Sequence, residues 1–360
     1  MQHKQFGIAV VGSGRIGLRR AERAAAHPAV NFIAVSDPDR ARAQKLAGKV
    51  GADFYSDDNL EIMSRPEVGA VIVSSSEGEH VLPALQAISL GKPVLIEKPI
   101  AMRLNEADRI LAAAASAGVD VHVGYSRRFK RSYLLMKEQI AQGRLGQIIG
   151  ANTRAYNTRA HHLEVLARTP TATIVMGALT YYVDLICWFL EGNAPVEVVA
   201  RGQRAVFKAA GYDVDDVAWA ILTFADGAVV SLGVDYALPA KYPTFGASAR
   251  MELLGTEGVF LIDDDNRDQV LFSDRGIPHN YVPEHNINMA FMSSSSSGDW
   301  AQGEFWGPLA DETRNWLDHL STGRPCCLAT GKQARTTLEI TLAIDRAIQT
   351  NQSIRIPAEK

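Results

Sequence analysis

Hydrophobic positions change rhythm once along the chain. In the first third, short apolar runs alternate with stretches of helical periodicity. Ile8-Ala9-Val10-Val11, Phe32-Ile33-Ala34-Val35, Ala70-Val71-Ile72-Val73, Val94-Leu95-Ile96 and Val119 to Val123 predict strands. Arg15 to Ala26, Pro38 to Val50, Glu79 to Leu90 and Asn105 to Ala117 predict helices between them. Gly91 and Gly118 follow two of these helices, where a C-terminal cap needs a residue tolerant of positive φ. Strands and helices alternating at this spacing imply crossover units and a parallel, doubly wound sheet.

Beyond Gly124 the pattern differs. A helix is predicted over Lys130 to Gln142, then longer strands over 146–156, 196–207, 217–224, 228–236 and 249–254. Asp226-Gly227 between two of them signals a hairpin. Runs of this kind predict an α+β domain with a large, mainly antiparallel open sheet. Helices over Pro308 to Leu320 and Lys332 to Gln349 close the chain and are free to pack back on the first domain. The expected division is a Rossmann domain over 1–124 and an α+β domain over 125–360. There is no internal repeat, and Ser293 to Ser297 is a low-complexity stretch expected to be a loop.

Composition narrows the function. The 360 residues are enough for two cores, with 47% hydrophobic and 21% charged positions. A formal net charge of −3 lacks the basic excess that holds phosphate backbones, so no nucleic-acid partner is expected. No apolar run is long enough to span a bilayer, and Met1 to Gln5 lacks the pattern of a secretory signal. Cys187, Cys326 and Cys327 have no metal-ligand spacing. The expectation is reduced thiols in the cytoplasm and no metal.

Gly12-Ser13-Gly14-Arg15-Ile16-Gly17 follows a strand and opens a helix, the context in which G-x-G-x-x-G binds a dinucleotide. The first glycine permits the turn, the second lets a pyrophosphate approach, and the third lets helix and strand pack. Asp37 ends the second strand, 20 residues beyond Gly17, where an acid binds ribose hydroxyls. A carboxylate there repels a 2′-phosphate and favours NAD, while Ser36 and Arg40 nearby leave NADP open. Glu97-Lys98-Pro99 follows the strand Val94–Ile96, which places Lys98 at the carboxyl end of a parallel strand, where open α/β sheets bind ligands. Pro99 restricts Lys98 to extended backbone and admits a cis bond.

Met176 to Leu190 predicts one helix. Leu179, Val183, Ile186 and Leu190 form an apolar stripe. At ~100° per residue, Gly177, Tyr181, Asp184 and Trp188 share the opposite face. That face either lines a pocket or is simply half exposed.

The glycine motif, Asp37, His80 before an alanine-containing helix, Gly91 to Pro99 and Gly124-Tyr125-Ser126-Arg127-Arg128-Phe129 occur in that order. Together they resemble the Gfo/Idh/MocA oxidoreductase family, specifically in the first 130 residues and more loosely afterwards. The resemblance implies hydride transfer at a carbinol or carbonyl carbon of a sugar, cyclitol or related polyhydroxylated molecule. It also implies a homodimer or homotetramer formed through the open sheet. It places Ser75, His80, Glu97 and Lys98 with Gly12, Gly14, Arg15, Ile16, Gly17, Asp37 and Arg40 around the cofactor, and gives Lys98 contact with the reacting hydroxyl. Arg127 matches a position near the substrate, and Asn157, His162 and Tyr236 are further candidates for substrate contact.

Two departures stand out. Where the family shows Thr-Pro-Asn before the histidine, this chain has Ser75-Ser76-Glu77. Where many members carry Asp-x-x-x-His on the catalytic helix, this chain has Gly177 and Tyr181, then keeps Val183-Asp184-Leu185. Tyr181 is then the expected acid/base, with Lys98 favouring its phenolate and Asp184 standing in as orienting group. His161 and His162 are the rival acid/base candidates. Within enzymes, a cis-dihydrodiol dehydrogenase or a transhydrogenating enzyme with tightly held NADP is an alternative. From another class, Gly177 keeps open a dinucleotide-binding sensor that has lost catalysis.

Overall fold

A computed structural model of the chain describes residues 4–244, 247–263, 270–278, 285–291, 298–301 and 303–357. Ser293 to Ser296 and Ser297 lie outside them. The chain forms two compact units, Met1–Lys130 with Ser297–Leu338, and Arg131–Ser296 with Glu339–Lys360. By contacts the first unit runs through Lys130, and a late segment belongs with it.

In chain order the first unit runs β1 (Phe6–Val11), α1 (Arg15–Ala25), β2 (Val30–Ser36), α2 (Arg40–Val50), β3 (Phe54–Ser56), α3 (Asn59–Met63), β4 (Val68–Val73), α4 (Val81–Ser89), β5 (Val94–Glu97), α5 (Leu104–Ala117) and β6 (Val121–Gly124). These six strands are parallel in the order β6-β5-β4-β1-β2-β3. The order reverses between β1 and β4, the point where a doubly wound sheet opens a crevice at the strands' carboxyl ends. Ile8, Ala9 and Val10 are wholly buried, as an unbroken apolar run requires when both faces of the sheet are covered. Asp39 caps α2 by accepting from the backbone of Ala41 and Arg42, so this helix begins two residues later than Pro38. Gly118 ends α5 at φ 63°. β3 and α3 were not predicted, because three and five residues carry too little periodicity to register.

The second unit begins with α6 (Arg131–Ala141), β7 (Ile148–Thr158) and α7 (Arg159–Arg168). A π-helical turn (Val175–Leu179) then leads into α8 (Thr180–Phe189). β8 (Pro195–Gln203), α9 (Val206–Ala209), β9 (Val217–Phe224), β10 (Val229–Leu238), β11 (Ala247–Gly255) and β12 (Val259–Asp263) follow, then the paired strands β13 (Val270–Pro278) and β14 (Asn286–Phe291). The stretch 196–207, expected as one strand, breaks at Gln203. The Asp216 carboxylate accepts from the backbone of Ala205 (2.7 Å) and Phe207 (3.0 Å) and turns the chain into α9. β9 and β10 form the hairpin around Asp226-Gly227.

The rest of the chain carries β15 (Asp299–Ala301), β16 (Glu304–Trp306), α10 (Pro308–Thr322), β17 (Ala329–Thr330), α11 (Gly331–Thr350) and β18 (Ile354–Arg355). β17 adds antiparallel to the β6 edge of the first sheet. β18 completes the second sheet, ordered β12-β11-β7-β10-β9-β8-β18, in which only the β7–β10 pair is parallel. Burial alternates along its strands: Ala218, Ala220, Leu222 and Phe224 of β9 face the core, while Trp219 and Ile221 face outward.

Candidate active site

The glycine loop is crowded against backbone at two of its glycines and open at the third. Gly12 has φ 92°, and a Cβ on it would lie 2.5 Å from the Ser74 carbonyl oxygen. A Cβ on Gly17 would lie 1.8 Å from the Gly12 carbonyl oxygen, so the helix can approach the turn only without a side chain. A Cβ on Gly14 would meet no heavy atom within 4 Å. That open face at the start of α1, where backbone N–H groups have no intrahelical partner, fits a pyrophosphate. Arg15 is exposed and Ile16 half-buried beside it.

Asp37 is buried and anchors the loop. Its Oδ2 accepts from the Ser13 N–H (3.0 Å) and its Oδ1 from the Asp39 N–H (2.9 Å). Arg42 pairs with the same Oδ1 at 2.8 Å. Arg40, the arginine singled out in the sequence, instead pairs with Asp57 at 3.1 Å and lies over the Tyr55 ring.

At the end of β5, Lys98 precedes a cis peptide bond to Pro99. Its Nζ pairs with Glu77 Oε1 at 3.2 Å. Glu77 lies in the short 3-10 turn Glu77–Glu79 after β4, at the position where the resemblance leads one to expect asparagine. His80 follows the turn and is wholly buried. Its Nδ1 lies 2.8 Å from the Pro99 carbonyl oxygen and its Nε2 3.1 Å from that of Ser75. Burial lowers its pKa. His80 thus sutures the 3-10 turn to the backbone next to Lys98. The Ser75 hydroxyl donates to the Glu79 carbonyl within the same turn.

Glu97 is engaged from behind the site. Arg20, wholly buried on α1, donates from Nε to Glu97 Oε1 (2.7 Å), and also bonds Glu312 and Thr313 of α10. Burial works to lower the Arg20 pKa, but Glu97 and Glu312 overcome it and hold the guanidinium charged. A Cβ on Gly124 would come within 2.8 Å of this guanidinium, so the ion pair needs glycine at the end of β6. Arg20 and Arg42 were missed in the sequence. The available signal for Arg20 was a charged residue among Gly17, Ala21 and Ala24 on one buried helix face. Arg127 sits half-buried in the 3-10 turn Ser126–Phe129 after β6.

In the second unit, the predicted single helix from Met176 begins as the π turn. Its wider winding breaks the ~100° phase that put Gly177 and Tyr181 on one stripe. Asp184 is wholly buried and Trp188 nearly so, while Tyr181 is half-buried. The helix is thus enclosed on most sides, and Trp188 belongs to the core. The structure brings His162, Tyr236 and Gly177 together. The rings of His162 and Tyr236 lie 4.6 Å apart, and His162 stacks on Phe207 at 5.1 Å. His162 Cε1 is the nearest atom, at 3.9 Å, to a Cβ built on Gly177. Its Nε2 lies 3.2 Å from the Ala172 carbonyl oxygen. Asn157, buried on β7, donates from Nδ2 to the carbonyls of Ala155 and Asp235. His161 packs against Tyr236 at 5.8 Å. None of these residues lines the cleft of about 530 Å³ between the π turn and Arg204, Tyr212 and Asp345.

The chain matches the model of an oxidoreductase family with an NAD-binding Rossmann fold over residues 6–125. It matches that of the GFO/IDH/MocA C-terminal domain over residues 133–261. It is 30% identical over 254 residues to inositol 2-dehydrogenase 1 of Saccharopolyspora erythraea, covering 70% of this chain and 72% of that one. It is 24% identical to myo-inositol 2-dehydrogenase of Thermotoga maritima, covering 97% and 98%. The scyllo-inositol dehydrogenase of Lactobacillus casei, solved with NAD(H) and scyllo-inositol, superposes with a TM-score of 0.80 at 19% identity, covering 98% of this chain and 99% of that one, and so shares its fold.

Proposed function

The chain belongs to the Gfo/Idh/MocA oxidoreductase family, and on that premise we propose that it is an NAD-dependent dehydrogenase of a ring secondary alcohol, a cyclitol of the inositol kind or a closely related sugar. The observation that carries this reading is local to the first unit. The three-glycine cradle, Asp37 and Lys98 stand at the carboxyl ends of β1, β2 and β5, on the edge of the sheet that contains the switch point. The bound nicotinamide would accept hydride from the carbinol carbon or return it to a carbonyl. Asp37 would accept the adenosine ribose hydroxyls, and its charge beside a 2′-phosphate favours NAD over NADP.

The remaining chemistry belongs to side chains. Lys98, a cation held in place by Glu77, would orient the reacting hydroxyl and stabilise it as its proton leaves. Tyr181, on α8 in the second unit, is our acid/base: a phenol is a ready donor for carbonyl reduction, and a nearby cation favours its ionised form for oxidation. Asp184 would orient it. Arg127 in one unit and Asn157, His162 and Tyr236 in the other are the proposed substrate contacts. We place the enzyme in the cytoplasm, as a homodimer or homotetramer. Among the described residues, no helix is long and apolar enough to cross a membrane.

The test is a fluorescence titration with NADH and NADPH, then turnover with myo-inositol, scyllo-inositol and simple pyranoses. Saturable NADH binding with turnover of a ring alcohol is the expected result. Binding without turnover of any alcohol would favour a sensor, and no binding of either nucleotide would overturn the reading.

A further inference from the structure

We propose that His122, His319 and Cys326 form a binding site for one divalent transition-metal cation of the zinc class, apart from the dinucleotide edge. The three residues come from β6, the last turn of α10 and the segment between α10 and β17. One ligand atom from each lies within 4.8 Å of the others. Cys326 Sγ is 3.5 Å from His122 Nε2, and the two imidazoles meet edge-on with centroids 5.6 Å apart. Zinc bonds of roughly 2.0 Å to nitrogen and 2.3 Å to sulfur put neighbouring tetrahedral ligands about 3.3–3.6 Å apart. The sulfur–nitrogen pair already has that spacing, and the widest pair, no more than 4.8 Å apart, has to close by at most about 1.5 Å.

His319 Nδ1 donates to the Arg324 carbonyl, which leaves the lone pair on Nε2, the arrangement that orients a ligating imidazole. His122 is buried, and its Nδ1 has no hydrogen-bond partner. Binding would exchange the Cys326 thiol proton for the cation, releasing that proton to solvent and leaving a fourth position for water. The site escaped the sequence because its members stand at 122, 319 and 326, and only folding brings them together. A cation there would clamp the returning segment to the β6 edge.

The test uses the full chain, stripped of metal and titrated with Co²⁺. The expected result is one equivalent bound, a thiolate-to-cobalt charge-transfer band, and a rise in Tm with Co²⁺ or Zn²⁺. Cys326→Ser should abolish the band and the Tm shift, while Cys327→Ser, on the exposed neighbour, should keep both. His319→Gln should abolish the Tm shift and supplies the same reading if Cys326→Ser does not fold. Absence of the band in the unaltered chain, or its loss in Cys327→Ser with survival in Cys326→Ser, overturns the site.

Discussion

Lys98 and Glu77 form a pair whose two members should behave very differently on substitution. The carboxylate is 47% exposed at its side chain, and a pair so open to water contributes about 1 kcal/mol or less. Glu77→Gln should therefore change turnover by no more than ~5-fold. Removal of a group that acts on the reacting hydroxyl costs roughly 10²–10⁴-fold, so Lys98→Ala and Tyr181→Phe should each lower kcat by that order. Steady-state kinetics beside an NADH titration check this: Tyr181→Phe should leave NADH affinity intact, and unchanged turnover would remove Tyr181 from the mechanism. The tight glycine turn was legible because the constraints on Gly12 and Gly17 are local to one strand–turn–helix unit, with Asp37 directly after the strand that follows it. The choice between Arg40 and Arg42 was not, since it rests on which way each side chain leaves the first turn of α2. Arg40 is drawn to Tyr55 and Asp57 across β3, a strand too short to foresee.

At the scale of elements, α1 and β5 are joined by a buried charge. Breaking a buried ion pair from one side typically costs ~3–5 kcal/mol, because the other charge is left uncompensated. Glu97→Gln should fall in or just below that range, since Glu312 still faces Arg20, and chemical denaturation should show it as a lower midpoint with an unchanged m-value. Periodicity located both elements but not the ion pair, whose partners lie 77 positions apart. The π turn was also invisible, because a single wide turn leaves the apolar stripe of α8 almost unaltered. A second acid, partly buried, gives a pH prediction. Asp345 on α11 accepts from the Thr173 hydroxyl at 3.0 Å, and burial raises its pKa from 3.8 to about 6. The folded state thus holds its proton more tightly than the unfolded chain does, and this group lowers stability as pH rises from about 4 to 6. Asp345→Asn should gain on the order of 1–2 kcal/mol at pH 8 and nothing near pH 4, as measured by denaturation at both.

For the whole molecule, the outward face of the second sheet points to assembly. Val199, Trp219, Ile221, Val229, Leu254 and Leu261 fall on one face across five strands, each between 39% and 65% exposed. The Trp219 ring lies over Gly233 on the neighbouring strand, where a Cβ would clash at 2.4 Å, so this surface is shaped as well as apolar. Arg154, Arg250 and Glu252 lie on the same face, on β7 and β11 between the apolar residues of β8 to β10 and Leu261 of β12, so the face mixes apolar and charged positions. Alternation along the strands predicts that one face is buried. It cannot say why the other also carries exposed apolar side chains; a single scattered leucine would need no reason, but six on one face do. Self-association through this face is therefore expected. Ile221→Glu places a charge near its centre and should dissociate the assembly without altering the inward residues Ala220 and Leu222. Sedimentation velocity on both proteins tests it. A multimer that becomes monomeric on substitution supports the sheet as the interface, whereas an unaltered chain that sediments as a monomer would rule out assembly through it.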